Sequence, residues 1–197
     1  IVDLDGALKG KLVNKEIVKE ICKINKVKVQ IGGGIRTVEQ IDELLQFGVN
    51  KIVLGTKAAE DKIFLKNVCQ KFKNTIVLSI DANKGFLALS GWTKKTEIKA
   101  TEFIKEINDL SLSRIVYTDI ERDGTKIGPN IEETLNLSKI SKIPIVISGG
   151  ISSLDDILNI KNKNFKNIKG VIIGKAIYDG NIDLKKLSKL IWCIKKE

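Results

Sequence analysis

The chain has 197 residues, of which 43% are hydrophobic and 29% are charged, enough for one well-buried domain and too few for two. No stretch approaches the ~18 consecutive apolar residues of a membrane span and no signal-peptide pattern opens the sequence, so we expect a cytoplasmic protein. The formal net charge of +10 comes from lysines scattered over predicted helix faces, which indicates a solvated surface and argues against a nucleic-acid or membrane partner.

Short β-branched runs alternate with amphipathic helical stretches along the chain. Because parallel strands need long crossover connections, this alternation predicts an α/β fold built on a parallel sheet. Hydroxyl caps after two glycine loops, Thr37 with Gln40 and Ser152 with Asp155, predict where two of the helices begin. The predicted strands are residues 1–4, 27–31, 51–54, 76–80, 114–117, 143–147 and 171–173.

The cysteines Cys22, Cys69 and Cys193 are widely spaced, and each lies in an apolar helical stretch. This pattern predicts buried thiols and argues against a disulfide or a zinc site. The sequence contains no histidine, so a metal site would have to be all-carboxylate, and the sequence shows no such cluster. We therefore expect no metal.

An internal repeat relates the two halves of the chain. Three motifs recur in the same order at nearly the same offset, which predicts a (β/α)8 TIM barrel built of two related half-barrels. Asp5-Gly6-x-x-x-Gly10 recurs as Asp123-Gly124-x-x-x-Gly128, a shift of 118 from position 5 to position 123. Gly33-Gly34-Ile35 recurs as Gly149-Gly150-Ile151, a shift of 116, and Leu54-Gly55-Thr56-Lys57-Ala58 is echoed by Ile173-Gly174-Lys175-Ala176, a shift of 119.

The repeat also predicts a strand that this sequence does not contain. The partner of the strand ending at Asp81 falls 118 positions earlier, before residue 1, and seven strands are predicted where the barrel needs eight. We therefore expect residues 1–197 to form a single barrel domain that lacks its first βα unit, about 40 residues.

Glycines at the carboxyl ends of predicted strands indicate two phosphate sites. Backbone N–H groups approach an anion closely where no side chain intervenes. Each half of the repeat has one such set, so we expect a small-molecule substrate with a phosphate at each end. The sets are Gly33, Gly34, Gly55 and Thr56 in the first half and Gly149, Gly150, Gly174 and Lys175 in the second.

Asp81 and Asp123 are the candidate proton-transfer groups, because they follow the two predicted strands that lie between the phosphate sites. Two opposed carboxylates with different environments suit one acid and one base, so the absent first strand is expected to carry an acidic residue opposite Asp81. Both residues also have structural interpretations, Asp81 as a cap of the next loop and Asp123 as the start of an Asp-Gly turn.

Seven segments together carry a resemblance that runs from end to end of the chain. They are Ile1-Val2-Asp3-Leu4-Asp5-Gly6-Ala7, Gly32-Gly33-Gly34-Ile35-Arg36, Ser79-Ile80-Asp81-Ala82, Ser90-Gly91-Trp92, Tyr117-Thr118-Asp119-Ile120-x-Arg122-Asp123-Gly124-Thr125-x-x-Gly128-Pro129-Asn130, Ser148-Gly149-Gly150-Ile151-Ser152 and Gly174-Lys175-Ala176-Ile177-Tyr178. In this combination they resemble the ProFAR (phosphoribosylformimino-5-aminoimidazole carboxamide ribotide) isomerase family of histidine biosynthesis.

The resemblance implies an Amadori rearrangement of a bis-phosphorylated aminoaldose to its aminoketose, without cofactor or metal, by a monomer. Asp81 matches the family's strand-five acid, and Thr118 and Asp123 match strand-six residues near the reacting ribose, while the family's base belongs to the absent strand. We prefer Asp81 as the proton donor, with Asp123 as the rival. Trp92 is expected either to stack on the imidazole carboxamide or to pack its loop onto the barrel rim.

Three other functions remain open. The sibling cyclase that makes imidazole glycerol phosphate shares the half-barrel repeat, although residues 119–120, 128–130 and 174–176 favour the isomerase. A dual-substrate phosphoribosyl isomerase that also serves tryptophan synthesis is the second, and Ser90, where such enzymes resemble one another in carrying an arginine, argues against it. A non-catalytic phosphate-binding barrel fragment is the third.

Overall fold

The structure is a computed structural model that describes residues 1–24 and 27–194, with the backbone alone for 191–194. The strands are β1 (Gln30–Gly32), β2 (Lys51–Leu54), β3 (Ile76–Asn83), β4 (Phe86–Leu89), β5 (Lys94–Lys99), β6 (Arg114–Asp119), β7 (Ile145–Ser148) and β8 (Ile168–Val171). The helices are α1 (Leu4–Lys9), α2 (Lys15–Cys22), α3 (Val38–Gln46), α4 (Thr56–Glu60), α5 (Lys62–Lys71), α6 (Ala100–Ile107), α7 (Ile131–Ile140), α8 (Leu154–Asn162), α9 (Lys175–Tyr178) and α10 (Leu184–Ile194).

The core of the fold is a parallel sheet with the order β1-β2-β3-β6-β7-β8. Neighbours in this order pair in parallel, and α3 lies between β1 and β2 in the chain, as α7 does between β6 and β7. The α/β class predicted from the sequence is therefore confirmed. None of the described helices is both long and apolar enough to cross a membrane.

The two faces of the sheet bury different residues because side chains alternate along a strand. One face carries a small valine cluster, which Val77, Val116 and Val146 form with Val53 packed against it. The other face carries the larger residues of the same strands, among them Ile76 and Leu78, and these pack with the helices in the main core. Residues on the valine face near the carboxyl ends of the strands are thus directed away from the helices.

The first predicted strand, residues 1–4, is wrong beyond Asp3. A single parallel bridge joins Val2 to Gly32, supported by a 2.8 Å hydrogen bond from the Asp3 N–H to the Gly32 oxygen. At Asp3 the side chain accepts from the Gly6 N–H and caps α1, so the chain turns into a helix at Leu4.

Three boundary predictions need correction. The strand predicted at 27–31 begins only at Gln30, where pairing with β2 begins, and ends at Gly32. The last strand was predicted at 171–173 but β8 spans Ile168–Val171, because pairing with β7 begins at Ile168 and passes through a register shift. The cap predicted at Ser152 with Asp155 lies one residue later: Ser153 and Asp156 form the capping box of α8. The box predicted for Thr37 and Gln40 is confirmed.

The antiparallel hairpin of β4 and β5 was not predicted. It pairs with β3 at Ala82 and Asn83, and its tip carries Ser90, Gly91 and Trp92, all with positive φ. Most residues of β5 are exposed and charged, so the hairpin lacks the buried alternation that marks the other strands.

The buried-thiol prediction is confirmed for Cys69 and only partly for Cys22. The side chain of Cys69 is buried, which raises the pKa of its thiol to about 11. Cys22 is half-buried, and burial raises the pKa of its thiol too. The side chain of Cys193 lies outside the described residues.

Candidate functional site

The predicted site residues lie together at the carboxyl ends of the parallel strands, which form one edge of the sheet. Gly33 and Gly34 follow β1, Gly55 follows β2, and Gly149 and Gly150 follow β7. In the same way Gly174 follows β8 after two further residues, and Asp81 and Thr118 are near the carboxyl ends of β3 and β6. Loops at this edge therefore surround a common region.

Asp81 and Thr118 occupy paired positions on adjacent strands. Each lies an even number of residues after a member of the valine cluster, Val77 and Val116, so both are on the valine face. Asp81 is half-buried and Thr118 is buried. A carboxylate and a hydroxyl thus lie side by side above the valine cluster.

Asp81 accepts two side-chain hydrogen bonds. The Ser79 hydroxyl donates to Oδ1 at 3.1 Å, and the Trp92 indole Nε1–H donates to Oδ2 at 3.0 Å. Together the two bonds fix the orientation of the carboxyl group. The hairpin tip is held from the other side as well, because the Ser90 N–H donates to the Thr56 hydroxyl at 2.8 Å.

Asp123 lies in the loop that follows β6. Partial desolvation and then the negative charge of Asp81 raise the pKa of Asp123, and a hydrogen bond from the Gly124 N–H lowers it less. The side chain is otherwise exposed at the mouth of the site. Asp123 therefore holds a proton more readily than an ordinary aspartate does.

Glycine is required in the loops after β1 and β7 because of close backbone contacts. Gly33 and Gly149 have φ of 107° and 90°, which strongly favours glycine. A Cβ at Gly33 would overlap the backbone oxygen of Asp3, and a Cβ at Gly149 would lie 2.8 Å from the backbone oxygen of Asp119. The two loops thus pack in the same way against corresponding aspartates.

The next glycine of each loop is equally constrained. Gly34 has φ 72°, and a Cβ there would lie 2.5 Å from the Lys11 oxygen. Gly150 has φ 85°, and a Cβ there would overlap the Gly128 oxygen. Packing within the fold is therefore sufficient to explain these glycines, whether or not an anion binds beside them.

Gly55 and Gly174 share a backbone conformation and have open space beside them. Their dihedral angles are φ −115°, ψ −107° and φ −111°, ψ −101°. A Cβ at Gly55 would come no closer than 3.9 Å to the Ser79 side chain, and a Cβ at Gly174 would have nothing within 4 Å. These two positions leave room for a ligand that the pairs after β1 and β7 do not. Lys175, directly after Gly174, is exposed.

Two buried aspartates at this edge, each bonded to a half-buried asparagine, were not predicted as part of the site. Asn14 Nδ2 donates to Asp3 Oδ1 at 2.7 Å, and Asn130 Nδ2 donates to Asp119 Oδ2 at 2.7 Å. Asp3 is 3% exposed and Asp119 is 6% exposed. The available signal was the spacing, because in each half an asparagine stands 11 positions after the aspartate, with the halves 116 apart.

Asp3 is charged in spite of its burial. Desolvation alone would raise its pKa, but hydrogen bonds from the N–H groups of Asn14, Val13 and Gly6 and from the Asn14 side chain lower the pKa to about 2. Within the described residues, no group of three or more histidine, cysteine, aspartate or glutamate side chains is placed to hold a metal ion.

Comparison with known proteins places the chain in a family. A family model described as "Histidine biosynthesis protein" matches residues 1–183. A 1-(5-phosphoribosyl)-5-((5-phosphoribosylamino)methylideneamino) imidazole-4-carboxamide isomerase of Pelagibacter ubique is 51% identical over 189 residues, 96% of this chain and 78% of that protein. Isomerases with the same name from Acinetobacter baumannii and Acinetobacter baylyi are 41% and 42% identical over 192 residues, 97% of this chain and 78% of each relative. The chain belongs to the histidine biosynthesis protein family.

Proposed function

We propose that this protein is a ProFAR isomerase, which converts the bis-phosphorylated aminoaldose to its aminoketose by an Amadori rearrangement in histidine biosynthesis. The observation that carries the proposal is the pair Asp81 and Asp123, whose charges interact at the strand edge between the two glycine loops. The name of the relatives, each an isomerase of this substrate, supports the same reaction and favours it over the cyclase.

The sheet is proposed to close as a (β/α)8 barrel of two half-barrels within a single domain over residues 1–197. The matched Asp–Asn pairs and the matched conformations of Gly55 and Gly174 support the duplication. The sheet path ends at β8 on one side, and on the other residues 1–3 pair with β1, so an eighth parallel strand with its helix, about 40 residues, would join the two edges. Exposed apolar side chains beside the first edge, Val2 and Leu4, support a neighbour there.

The two phosphates of the substrate are assigned to the two matched glycine sets. The open space beside Gly55 and Gly174 supports this assignment, because backbone N–H groups that no side chain covers are accessible to an anion. Binding of both phosphates would hold the reacting ribose between the two glycine sets, above Asp81 and Thr118. The sets are Gly33, Gly34, Gly55 and Thr56 at one end and Gly149, Gly150, Gly174 and Lys175 at the other.

Asp123 is assigned the role of proton donor, which reverses our preference for Asp81. Asp123 protonates the ribose ring oxygen as the bond from that oxygen to C1 breaks, and the attached nitrogen forms a C=N bond to C1. A base supplied by the closing strand then removes the proton from C2. The enaminol tautomerises to the ketone, so C1 is reduced and C2 is oxidised within one molecule.

Asp81 is assigned a charged role in the same step. Its negative charge raises the pKa of Asp123, and its two hydrogen bonds, from Ser79 and Trp92, hold its carboxyl group in place. Thr118, paired with Asp81, is assigned the role of holding a hydroxyl of the opened ribose. The reaction is assigned to a monomer in the cytoplasm, without a nucleic-acid partner.

The test is turnover of ProFAR by the purified full-length protein, followed by the absorbance change of the substrate. Asp123→Asn should lower kcat by about 100-fold or more, since a general acid typically contributes 10²–10⁴-fold. Asp109→Asn is the matched control, because Asp109 is an exposed residue in a surface ion pair with Lys142. Absence of turnover by the wild-type protein would refute the proposal.

A further inference from the structure

One carboxylate holds both ends of the loop that carries Asp123. Asp119 Oδ1 accepts from the Glu121 N–H at 2.9 Å, at the start of the loop, and Oδ2 accepts from Asn130 Nδ2 at 2.7 Å, where the loop ends. The backbone oxygen of Asp119 accepts from the Asp123 N–H at 3.0 Å. Asp123 is thus tied to Asp119 directly and through the loop.

The other half of the chain contains a related arrangement around Asp3. Asp3 accepts from Asn14 Nδ2, and its backbone oxygen accepts from the Ala7 N–H at 2.8 Å. Ala7 lies 116 positions before Asp123, so the residue in the position of the acid is an alanine. Asp3 is buried like Asp119, and each accepts from the side chain of an asparagine 11 positions later. The backbone bonds to the two carboxyl groups differ: Asp3 accepts from the N–H groups of Gly6, Val13 and Asn14, and Asp119 accepts from the Glu121 N–H. The molecule therefore provides an internal control for what this arrangement contributes to folding alone.

We propose that Asp119 is a positioning residue for the isomerisation, because it fixes the loop that places Asp123 beside Asp81 and the ribose. This inference rests on the proposed function. Asp119 does not touch the substrate; it acts through Asp123. The loop is also packed from behind, since a Cβ at Gly149 would lie 2.8 Å from the Asp119 oxygen and 3.4 Å from the Asp123 nitrogen. The position of Asp123 thus depends on Asp119 from two sides.

The decisive comparison is Asp119→Asn against Asp3→Asn in the full-length protein. Displacing an acid by ~1 Å costs up to about 100-fold in rate, so Asp119→Asn should lower kcat by about 10- to 100-fold, and Asp3→Asn should change KM more than kcat. Equal kcat losses in the two variants, or no kcat loss in Asp119→Asn, would overturn the proposal. Thermal melts show whether each variant folds.

The pH profile separates positioning from electrostatics. The charged groups near Asp123 are Asp81 on β3, Asp119 at the base of the loop and Arg122 within it. Aspartate caps a helix as well as asparagine does, so Asn130→Asp should keep the start of α7. The negative charge of the new side chain repels Asp119, and this repulsion should release the loop. The added charge by itself would raise the pKa of Asp123, whereas a released loop removes its partial desolvation and its closeness to Asp81, and so lowers the pKa.

We therefore expect the alkaline limb of kcat to move to lower pH in Asn130→Asp, and not in the matched variant Asn14→Asp. A move to higher pH would overturn the proposal. The same shift is measured without turnover by titrating the Asp123 carboxyl carbon by NMR in protein with ¹³C-labelled aspartate. A wild-type protein that does not convert ProFAR would refute the proposed function, while the NMR titration would still decide whether Asp119 positions Asp123.

Discussion

Trp92 donates its indole Nε1–H to Asp81 Oδ2 across 3.0 Å, so the tip of the β4–β5 hairpin contacts a proposed site carboxylate. The tryptophan has φ 72°, which is uncommon for a bulky residue and costs about 1–3 kcal/mol. Its hydrogen bond to Asp81 and the bond from Ser90 to Thr56 offset this strain. These two hydrogen bonds link the hairpin to β3 and to α4 at the site.

We predict that Trp92→Phe and Trp92→Ala affect the reaction in different ways. Phenylalanine keeps the ring but cannot donate to Asp81, so kcat should fall by about 10-fold, corresponding to one hydrogen bond to a charged group. Alanine also removes the surface available for stacking, so KM should rise as well. Steady-state kinetics of both variants measure the difference. Identical kinetics for the two would show that the ring has no role.

The acid assignment predicts two distinct pH profiles. A proton donor works only below its pKa, so the rate of the wild-type enzyme should fall as pH rises through the raised pKa of Asp123. Asp123→Asn should abolish this alkaline limb together with most of kcat. Asp81→Asn removes a negative charge that raises the pKa, so its limb should move to lower pH. If the limb survives in Asp123→Asn, another group is the acid.

Alanine at Gly33 or Gly149 should both destabilise the fold and weaken substrate binding. The control is Gly180→Ala, at φ 74° with nothing within 4 Å of a Cβ, which should cost only the conformational penalty of about 1–2 kcal/mol. Gly149→Ala adds a contact at 2.8 Å with the Asp119 oxygen and should cost a further ~1–3 kcal/mol. Thermal or urea unfolding and KM measure both effects. Equal losses in all three variants would contradict the packing interpretation.

Asp3 should stabilise the fold in a pH-dependent way. Its pKa is about 2 in the folded protein against 3.8 for the ordinary value, so its contribution is full above pH 3.8 and is lost as pH falls toward 2. Asp3→Asn should therefore lower the free energy of unfolding by about 2 kcal/mol at pH 7 and by much less near pH 2. Urea unfolding across this range measures it. The exposed control Asp109→Asn should change little at any pH.

The alternation of β-branched strand segments with amphipathic helical stretches, together with glycines at the strand ends, predicted the parallel sheet. Buried parallel strands are rich in apolar residues, so they are easily recognised in the sequence. Strand boundaries were predicted less accurately where backbone pairing, and not residue composition, decides where a strand begins. β8 begins at Ile168 and includes Lys169 and Gly170, which are poor strand formers. The segment 1–4 reads as a strand, yet the Asp3 cap turns it into α1.

The site residues were predicted as separate candidates, but their contacts were not. The Trp92–Asp81 bond depends on a hairpin whose β5 strand carries exposed lysines, so the period-two pattern is weak there. The Asp119–Asn130 pair joins residues 11 apart through a loop, a distance at which no helix or strand period applies. Which carboxyl group holds the proton depends on desolvation and on charges brought together by folding.

The most direct test of the account is the fate of the ribose C2 carbon. ProFAR labelled with ¹³C at C2 of the reacting ribose is incubated with the full-length wild-type protein and followed by ¹³C NMR. We predict that the alcohol resonance of C2 is replaced by a ketone resonance, with both phosphates still attached to the product. Unchanged substrate would contradict the account.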